Sequence, residues 1–505
     1  MSFKHGKRNV VLFITDSANG LSNAHVATCS SLLENHPEVE VHYSSFPKLI
    51  AATSRITAYA RAKNPECQMI HFHEITGDDY KTSVSQVLTN ATSSKAVSDG
   101  PPDVSLAWGP PGHSAIRSLV QDLGLLLVPW DAASHWNMFS QLCTIIEEVD
   151  PAVVILDPLF HPALDAARNM NRRRIVLNPN ALHGVLSDVQ PRGAALWKYP
   201  AFASGSPFPL PWKLIPSNVY SQLRLLFDLV TSPSLRAKRA YLSTKGIKSP
   251  LHPLRSGDTS IPILSMAIPE SGFPLDVIPP HVVCCGPMVI DVAPASSQDA
   301  ELATWVSKGR TMLINLGSVT KYNRQRAHIM LQAIVTVLQK TDIQVLWKLV
   351  KLDEFSIISK VATQYIEQDR LRIVDWLKTD PASLLLTGDI CVSVHHGGAN
   401  SYLEAILAGL PQVILPLWAD TYDCAQMAEH LGIGIWPGQN IAPLWDAETL
   451  SQGFMEILTG TKSLLIQKKA AALGEVARRY GGSKTAATMI AKVASEDRDA
   501  SNKFK

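Results

Sequence analysis

The amino-acid sequence predicts an α/β protein in which parallel sheets are covered by helices on both faces. Short apolar runs alternate with segments of helical periodicity throughout the chain, a pattern typical of parallel strands joined by crossover helices. The length of 505 residues exceeds what one hydrophobic core normally organises. We therefore expect two domains, each a doubly wound, Rossmann-like sheet.

Two strand–helix series define the expected domains. In the first series we predict strands at residues 10–15, 39–44, 153–156, 175–178 and 263–267, the last closing the domain, candidate strand ends at 104–108 and 125–129, and helices at 22–34, 163–170 and 219–229. In the second we predict strands at 312–316, 343–349, 371–374, 390–394 and 413–417, and helices at 401–407 and through most of 460–505. The expected domains are 1–288 and 299–470, separated by a linker at 289–298 and followed by a helical segment at 471–505.

Composition and charge exclude several functional classes. A formal net charge of +2, with 18% charged residues, provides no basic surface for nucleic acid. No apolar run has the length of a membrane-spanning helix, and the polar N-terminus is unlike a signal peptide. Seven cysteines without zinc-type spacing indicate reduced thiols. We expect a cytoplasmic protein without stable membrane insertion.

The most informative segment follows the apolar run 390–394. It reads His395-His396-Gly397-Gly398-Ala399-Asn400-Ser401-Tyr402-Leu403-Glu404 and predicts a buried strand, a glycine turn and a helix. Such a turn directs backbone N–H groups and the positive end of the helix towards an anion. His396, Asn400 and Ser401 add hydrogen-bond donors. Gly398 allows close approach of the backbone, and Glu404 can accept the hydroxyls of a ribose. The segment therefore predicts a nucleoside diphosphate site, the alternative being an ordinary glycine turn.

Residues 376–420 resemble the donor-binding signature of the family 1 UDP-sugar glycosyltransferases, in particular the fungal, natural-product-type branch. The matching positions are Trp376, His396, Gly397, Gly398, Asn400, Ser401, Glu404, Gly409, Pro411, Pro416, Trp418 and Asp420, without a gap from His396 onwards. The resemblance implies the GT-B fold, in which two Rossmann-like domains face one another across a cleft and a C-terminal helix returns to the first domain. It also implies that the first domain binds the acceptor and the second the UDP-sugar.

Four further positions contribute to the expected donor site. Ser318, in the glycine turn after the strand 312–316, can donate to a phosphate oxygen. Trp376 can stack on uracil, Trp418 can pack on a sugar face, and Asp420 can accept two sugar hydroxyls. The chain departs from the family at Thr421, where Gln is frequent, so that glucose is the default donor sugar rather than a deduction.

The catalytic base is less well defined. An acceptor hydroxyl attacks better as it loses its proton, and the family places a His, oriented by an Asp, after the first strand. Asp157 ends the strand 153–156, but Leu21 occupies the position of the His. Our first candidate is His25, one helical turn later, with Asp157 orienting it. The second is Asp157 itself or His113, and the third is a reaction without a protein base, or an inactive chain.

An aromatic, proline-rich stretch between residues 196 and 216 interrupts the strand–helix pattern. Its prolines exclude a long helix and predict an ordered loop that carries Trp197, Phe208 and Trp212. Such a loop can line an acceptor pocket, dock on a membrane interface or cap the core. We assign acceptor binding to these three aromatic residues together with His113.

The residues and the resemblance together imply an inverting glycosyltransferase that moves a hexose from a UDP-sugar to an apolar, hydroxylated small molecule, such as a phenol, polyketide or terpenoid. Positioning and stabilisation of the departing diphosphate would carry catalysis, and neither a metal ion nor another cofactor is expected. One alternative, motivated by Leu21, is a UDP-sugar-binding protein without efficient transferase activity. The other is an NAD(P)-dependent oxidoreductase, although the turn at 16–20 lacks the glycine spacing of that class.

Overall fold

Two parallel sheets organise the chain in a computed structural model, which describes residues 3–92, 111–112, 124, 127–252, 258–290, 293–357 and 360–496. The first sheet has the order β3-β2-β1-β4-β5-β6-β7 and consists of β1 (Lys7–Ile14), β2 (Glu40–Ser45), β3 (His71–Glu74), β4 (Pro151–Leu156), β5 (Arg174–Asn178), β6 (Ile263–Ser265) and β7 (Val282–Cys284). The second has the order β10-β9-β8-β11-β12-β13 and consists of β8 (Thr311–Ile314), β9 (Gln344–Lys348), β10 (Leu371–Val374), β11 (Ile390–His395), β12 (Gln412–Ile414) and β13 (Gly434–Ile435).

Helices connect the strands and cover the sheets. Those of the first half are α1 (Asn19–Asn35), α2 (Ile50–Lys63), α3 (Tyr80–Thr92), α4 (Ala132–Val149), α5 (His161–Asn169), α6 (Leu182–Leu186), α7 (Ala194–Trp197), α8 (Ile215–Thr231) and α9 (Pro233–Thr244). Those of the second half are α10 (Ala295–Gln298), α11 (Ala300–Val306), α12 (Arg324–Lys340), α13 (Lys360–Glu367), α14 (Pro381–Leu385), α15 (Ala399–Ala408), α16 (Ala419–Leu431), α17 (Ala447–Leu458), α18 (Gly460–Arg479) and α19 (Ser483–Ser495).

The central strands form where consecutive residues are apolar, without polar residues at alternate positions. Residues 11–14 of β1 are all completely buried, as expected for a parallel strand that has helices on both faces. Val11 pairs with Val41 of β2 on one side and with Val153 of β4 on the other. The strand order reverses at β1 in the first sheet and at β8 in the second. In sheets of this kind, ligands bind at such a reversal, beyond the carboxyl ends of the strands.

Most predicted elements are present, with shifted ends, but the strand at 263–267 is not the last of its sheet. β7 follows β6 and pairs with it in parallel. Besides β7, two further strands are absent from the prediction, β3 and β13. β3 has four residues of which only Phe72 is apolar, and β13 has two residues, so neither shows the apolar run of a buried strand. The expected strand end at 104–108 lies outside the described residues. The one at 125–129 is wrong in its described part, since residues 127–129 form no strand.

The two halves meet in one continuous apolar cluster. It includes Phe273 of the first half, Tyr402 and Tyr422 of the second, and Ile490 of α19. The Tyr402 hydroxyl donates to the Ser271 carbonyl at 2.8 Å across this junction. α19 packs against α1, β1 and β4, so the end of the chain rests on the first sheet. The exact domain boundaries stay a prediction.

Neither cross-links nor membrane spans are seen in the described part of the chain. All seven cysteines are free thiols. Within the described ranges, no helix combines the length and the apolar character needed to cross a bilayer.

Candidate active site

The glycine turn after β11 opens directly onto the first turn of α15. Gly397 has φ 88°, and a Cβ there would lie 2.8 Å from Ile414 and 2.9 Å from the Thr421 carbonyl. Only glycine therefore fits this close approach between β11 and the next strand–helix connection. Gly398 is the N-cap of α15 and supplies no side-chain cap. The first N–H groups of α15 are thus left for an anion.

His396 is the centre of this turn. A Cβ on Gly317 would lie 2.6 Å from its ring and one on Gly398 would lie 2.5 Å away, so both glycines lie directly against the imidazole. The His396 and Trp418 rings are 5.2 Å apart. Burial, with smaller effects from His395 and Lys348, lowers the pKa of His396 to about 3. The imidazole is therefore neutral at neutral pH and acts as a hydrogen-bond donor rather than a cation.

A second glycine turn, after β8, lies beside the first. Gly317 has φ 83°, its N–H donates to the Asn315 side chain at 3.2 Å, and Ser318 follows it, half-buried. Trp376, beyond β10, is 56% exposed, and the ammonium of Lys348 lies 4.2 Å from its ring centroid. The indole thus retains exposed surface on which a flat base can stack.

Helix α15 carries three of the predicted donor residues. Asn400 and Ser401 lie in its first turn, both half-buried, and Glu404 lies one turn further. The Asn400 side chain donates to the Asn19 carbonyl at 3.1 Å and so links the two halves of the molecule. Burial, reinforced by the charge of Asp380, raises the pKa of Glu404 to about 7. At neutral pH the Glu404 carboxyl group can therefore be protonated or ionised, and it can donate a hydrogen bond to a hydroxyl group or accept one from it.

The loop after β12 places Trp418 near His396, and Asp420 follows two residues later. Asp420 lies in the first turn of α16, half-buried, and burial together with Asp423 raises its pKa to about 7. Thr421 is completely buried, and its hydroxyl accepts hydrogen bonds from the Leu417 and Trp418 N–H groups at 3.1 and 3.0 Å. The side chain at the family's Gln position therefore closes a turn and does not extend towards a sugar.

On the acceptor side, the structure does not join His25 and Asp157 by a hydrogen bond. The His25 ring is completely buried, and Nδ1 bonds to the Leu21 carbonyl of its own helix at 3.1 Å. Burial lowers the pKa of His25 to about 4. Asp157 accepts the Leu159 N–H at 2.7 Å, while Oδ2 is buried without a hydrogen-bond partner of normal geometry among the described residues. Burial raises the pKa of Asp157 to about 6.

Two residues that sequence reasoning missed lie next to Asp157. Asp16 lies two residues after the end of β1. Its carboxylate accepts hydrogen bonds from the Ala18 and Tyr80 N–H groups, both at 2.8 Å. Burial raises its pKa to about 7, and nearby Asp157 adds to the effect. Burial and the charges of Asp420, Asp16 and Asp157 raise the pKa of Tyr80. Tyr80 is therefore near carboxylates of both halves of the molecule. A carboxylate at the end of a central strand was the available signal for Asp16.

The aromatic acceptor residues do not converge on one pocket. Phe208 stacks on Phe273 with centroids 4.7 Å apart and meets His430 edge-on at 5.1 Å, within the junction between the halves. Trp197 donates to the Arg192 carbonyl at 3.1 Å, and Trp212 is 75% exposed. Among the described residues no ring contact links the three. His113 lies outside the described residues.

Facing Rossmann-like sheets with a helix start in the cleft define a glycosyltransferase of the GT-B class. The chain is 31% identical over 517 residues to the glycosyltransferase sdnJ of Sordaria araneosa, an alignment covering 96% of this chain and 98% of the relative. It is 25% identical over 213 residues to the UDP-glycosyltransferase stmC of Aspergillus ustus, covering 38% and 39%. Residues 344–463 match the family described as erythromycin biosynthesis protein CIII-like, C-terminal domain. The chain therefore belongs to the family 1 glycosyltransferases, in their natural-product branch.

Solved structures share the complete architecture. A UDP-glucosyltransferase from Polygonum tinctorium, capable of glucosylating indoxyl, superimposes with a TM-score of 0.60 at 14% identity, covering 97% of this chain and all of the other (100%). The glycotransferase of kitacinnamycin gives 0.59 at 15% identity, covering 96% and 98%. The GT-B fold and the predicted enzyme class are confirmed. The oxidoreductase alternative is incompatible with this membership.

Proposed function

We propose that this enzyme transfers a hexose, by default glucose, from a UDP-sugar to a hydroxylated, largely apolar small molecule, with inversion at the anomeric carbon. The observation that carries the proposal is the convergence of three connections, those after β8, β11 and β12, at the carboxyl edge of the second sheet. His396, in one of them, lies against Gly317 and Gly398 and near Trp418. Support also comes from relatives named UDP-glycosyltransferases in Talaromyces amestolkiae and Aspergillus ustus.

The donor would bind with its diphosphate at the start of α15. The N–H groups beyond Gly398, the His396 imidazole and the Ser318 and Ser401 hydroxyls would contact its oxygens. Trp376 would stack on uracil, Glu404 would hold the ribose, and Asp420 with Trp418 would orient the sugar. Uncharged hydrogen-bond donors and the positive end of a helix can stabilise the negative charge of the departing diphosphate. The proposal therefore includes no divalent cation and no other cofactor.

Within this proposal, Asp157 is a better supported proton acceptor than His25. Its Oδ2 is buried without a partner of normal geometry, as expected where the orienting His of the family is replaced by Leu21. A carboxylate with a pKa near 6 is ionised at neutral pH and can accept a proton. As the acceptor oxygen attacks the anomeric carbon, its proton would pass to Asp157 and the carbon–oxygen bond to UDP would break. Opposite faces of attack and departure would give inversion.

The acceptor class is proposed from the neighbours. One solved structure of this fold is a complex with 3,4-dichloroaniline, and the structure of Os79 from O. sativa contains a trichothecene. We propose an acceptor of similar size and low polarity for this chain. Trp197 and Trp212 remain proposed contacts, whereas Phe208 is packed in the domain junction.

Calorimetric titration and turnover together test the proposal. We expect the purified protein to bind UDP but not NAD, and to form a glycoside from UDP-glucose with members of a phenol, polyketide and terpenoid panel. Mass spectrometry would detect the product, and proton NMR of its anomeric signal would assign the configuration. Binding of NAD without UDP would refute the donor assignment. Release of UDP without a glycoside across the panel would refute the transferase reaction proposed.

A further inference from the structure

A buried lysine lies among the donor-site connections and has no role in the site described so far. Lys348 is the last residue of β9, the strand between β8 and β10, and is only 5% exposed. Its ammonium donates to the Gly317 carbonyl at 2.8 Å and lies 4.2 Å from the Trp376 ring centroid. It therefore contacts the connections that follow both neighbouring strands.

The environment of Lys348 is unusual because its charge is not neutralised. Among the described residues, no carboxylate raises the pKa of this ammonium, and burial is the one cause of its shift. Removing an ammonium from water without a counter-charge is unfavourable, and burial alone lowers the pKa of Lys348 to about 8. Of the three ammonium protons, one is donated to Gly317, so that others are left for a further acceptor.

The side chains assigned so far to the neighbouring anion site carry no positive charge. His396 is held neutral by burial, and the charge of Lys348 contributes to this effect, so the two side chains are close. Gly317 accepts from Lys348 and lies against the His396 ring. A lysine in this position and a helix N-terminus would act together on an anion placed between them.

We propose that Lys348 binds the diphosphate of the nucleotide donor and supplies the cation of its binding site. The same ammonium also lies over the Trp376 ring. This inference rests on the proposed UDP-sugar specificity. A lysine that only supported Trp376 would affect the base and leave the diphosphate contribution unchanged.

Titration calorimetry with UDP and with uridine tests the proposal in wild type, Lys348→Met and Lys348→Arg. Loss of a charged hydrogen bond should weaken UDP binding by about 10–100-fold in Lys348→Met. Uridine, which has no phosphate, should bind both proteins alike, and Lys348→Arg should retain most of the UDP affinity. Lys351→Met is the matched control, since this exposed lysine lies three residues along the chain, and it should behave as wild type.

Each contrary result has a defined meaning. Equal losses for UDP and uridine in Lys348→Met would overturn the diphosphate contact in favour of an effect on the base. Unchanged UDP affinity would overturn it as well. If Lys348→Met does not fold by circular dichroism, the UDP-to-uridine affinity ratio of Lys348→Gln decides in the same way. A wild-type protein that binds no UDP would instead refute the proposed function.

Discussion

At the residue scale, Asp157 and Leu21 differ from the His–Asp pair that removes the acceptor proton in the family, so we expect a different route for this proton. Leu21 stands where the family has the catalytic His, and the Asp157 oxygen that such a His would engage is buried without a partner of normal geometry. His25 does not supply a hydrogen bond to Asp157 in place of the family's His. Its Nδ1 bonds instead to the Leu21 carbonyl of its own helix. We therefore propose that the Asp157 carboxylate acts on the acceptor itself.

We therefore expect Asp157→Asn to lower kcat by roughly 10²–10⁴-fold, the range of general base catalysis, while UDP affinity stays near that of wild type. His25→Gln is the comparison variant and should retain most of its turnover. Steady-state kinetics with UDP titration of each variant would measure both effects. Wild-type turnover in Asp157→Asn, with loss of turnover in His25→Gln, would restore His25 as the base.

The protonation of Lys348 predicts a pH dependence of donor binding. Below pH 8 the ammonium is charged, and above it the amine loses its proton, because burial lowers the pKa of Lys348 to about 8. UDP affinity should already be lower at pH 8 than at pH 7, because about half of the free protein has then lost this proton, and should decrease further from pH 8 to 9. His396, whose pKa is about 3, does not titrate in this range. Calorimetry on Lys348→Arg, which stays charged, should show no such decrease.

At the scale of single elements, the glycine turn between β11 and α15 determines whether the donor site forms. A Cβ at Gly398 would lie 2.5 Å from His396 Nε2, so Gly398→Ala has to displace the imidazole. We expect UDP affinity to fall roughly tenfold, about 1.4 kcal/mol. Titration calorimetry measures the change.

Gly184→Ala is the control for that substitution. Gly184 lies in helix α6, and a Cβ there has nothing within 4 Å. The added methyl group should leave UDP affinity unchanged and be neutral or slightly stabilising, because alanine favours helix more than glycine does. An unaffected Gly398→Ala variant would show that the imidazole position is unimportant for binding.

The same turn shows how much the sequence could predict. Strand, glycines, helix start and Glu404 are contiguous, and each follows from local chemistry that one segment contains. Asp16 and Lys348 show the opposite case. Asp16 becomes significant only through Tyr80 and Asp157, and Lys348 only through Gly317 and Trp376, contacts between distant segments. The apolar neighbours of Lys348 also predict a strand and nothing more.

Aromatic composition was the least reliable guide. The loop at 196–216 suggested one acceptor pocket, yet Phe208 is stacked at the junction and Trp212 is largely exposed. Aromatic residues serve packing as readily as binding, and only tertiary contacts distinguish the two uses. Thr421 illustrates the same limit, since its bonds to the turn at 417–418 decide what its side chain can reach.

At the scale of the whole molecule, α19 fastens the end of the chain to the first sheet. Ile490 is completely buried there. We expect Ile490→Ala to lower the free energy of unfolding by about 2–4 kcal/mol, as for other large-to-small core changes. Urea unfolding followed by fluorescence measures the loss. Leu464→Ala, at a position 66% exposed on α18, is the control and should change stability by less than about 0.5 kcal/mol. Equal stabilities of the two variants would contradict the anchoring role of α19.

The continuous apolar cluster between the two sheets also has a consequence for the catalytic cycle. Swinging the domains widely apart would expose Phe273, Tyr402 and their neighbours to water, an unfavourable change that grows with the area exposed. We therefore expect substrates to enter and products to leave through movements of the connections around the cleft, while the junction stays closed. Turnover would then be governed by these short segments rather than by a large hinge motion.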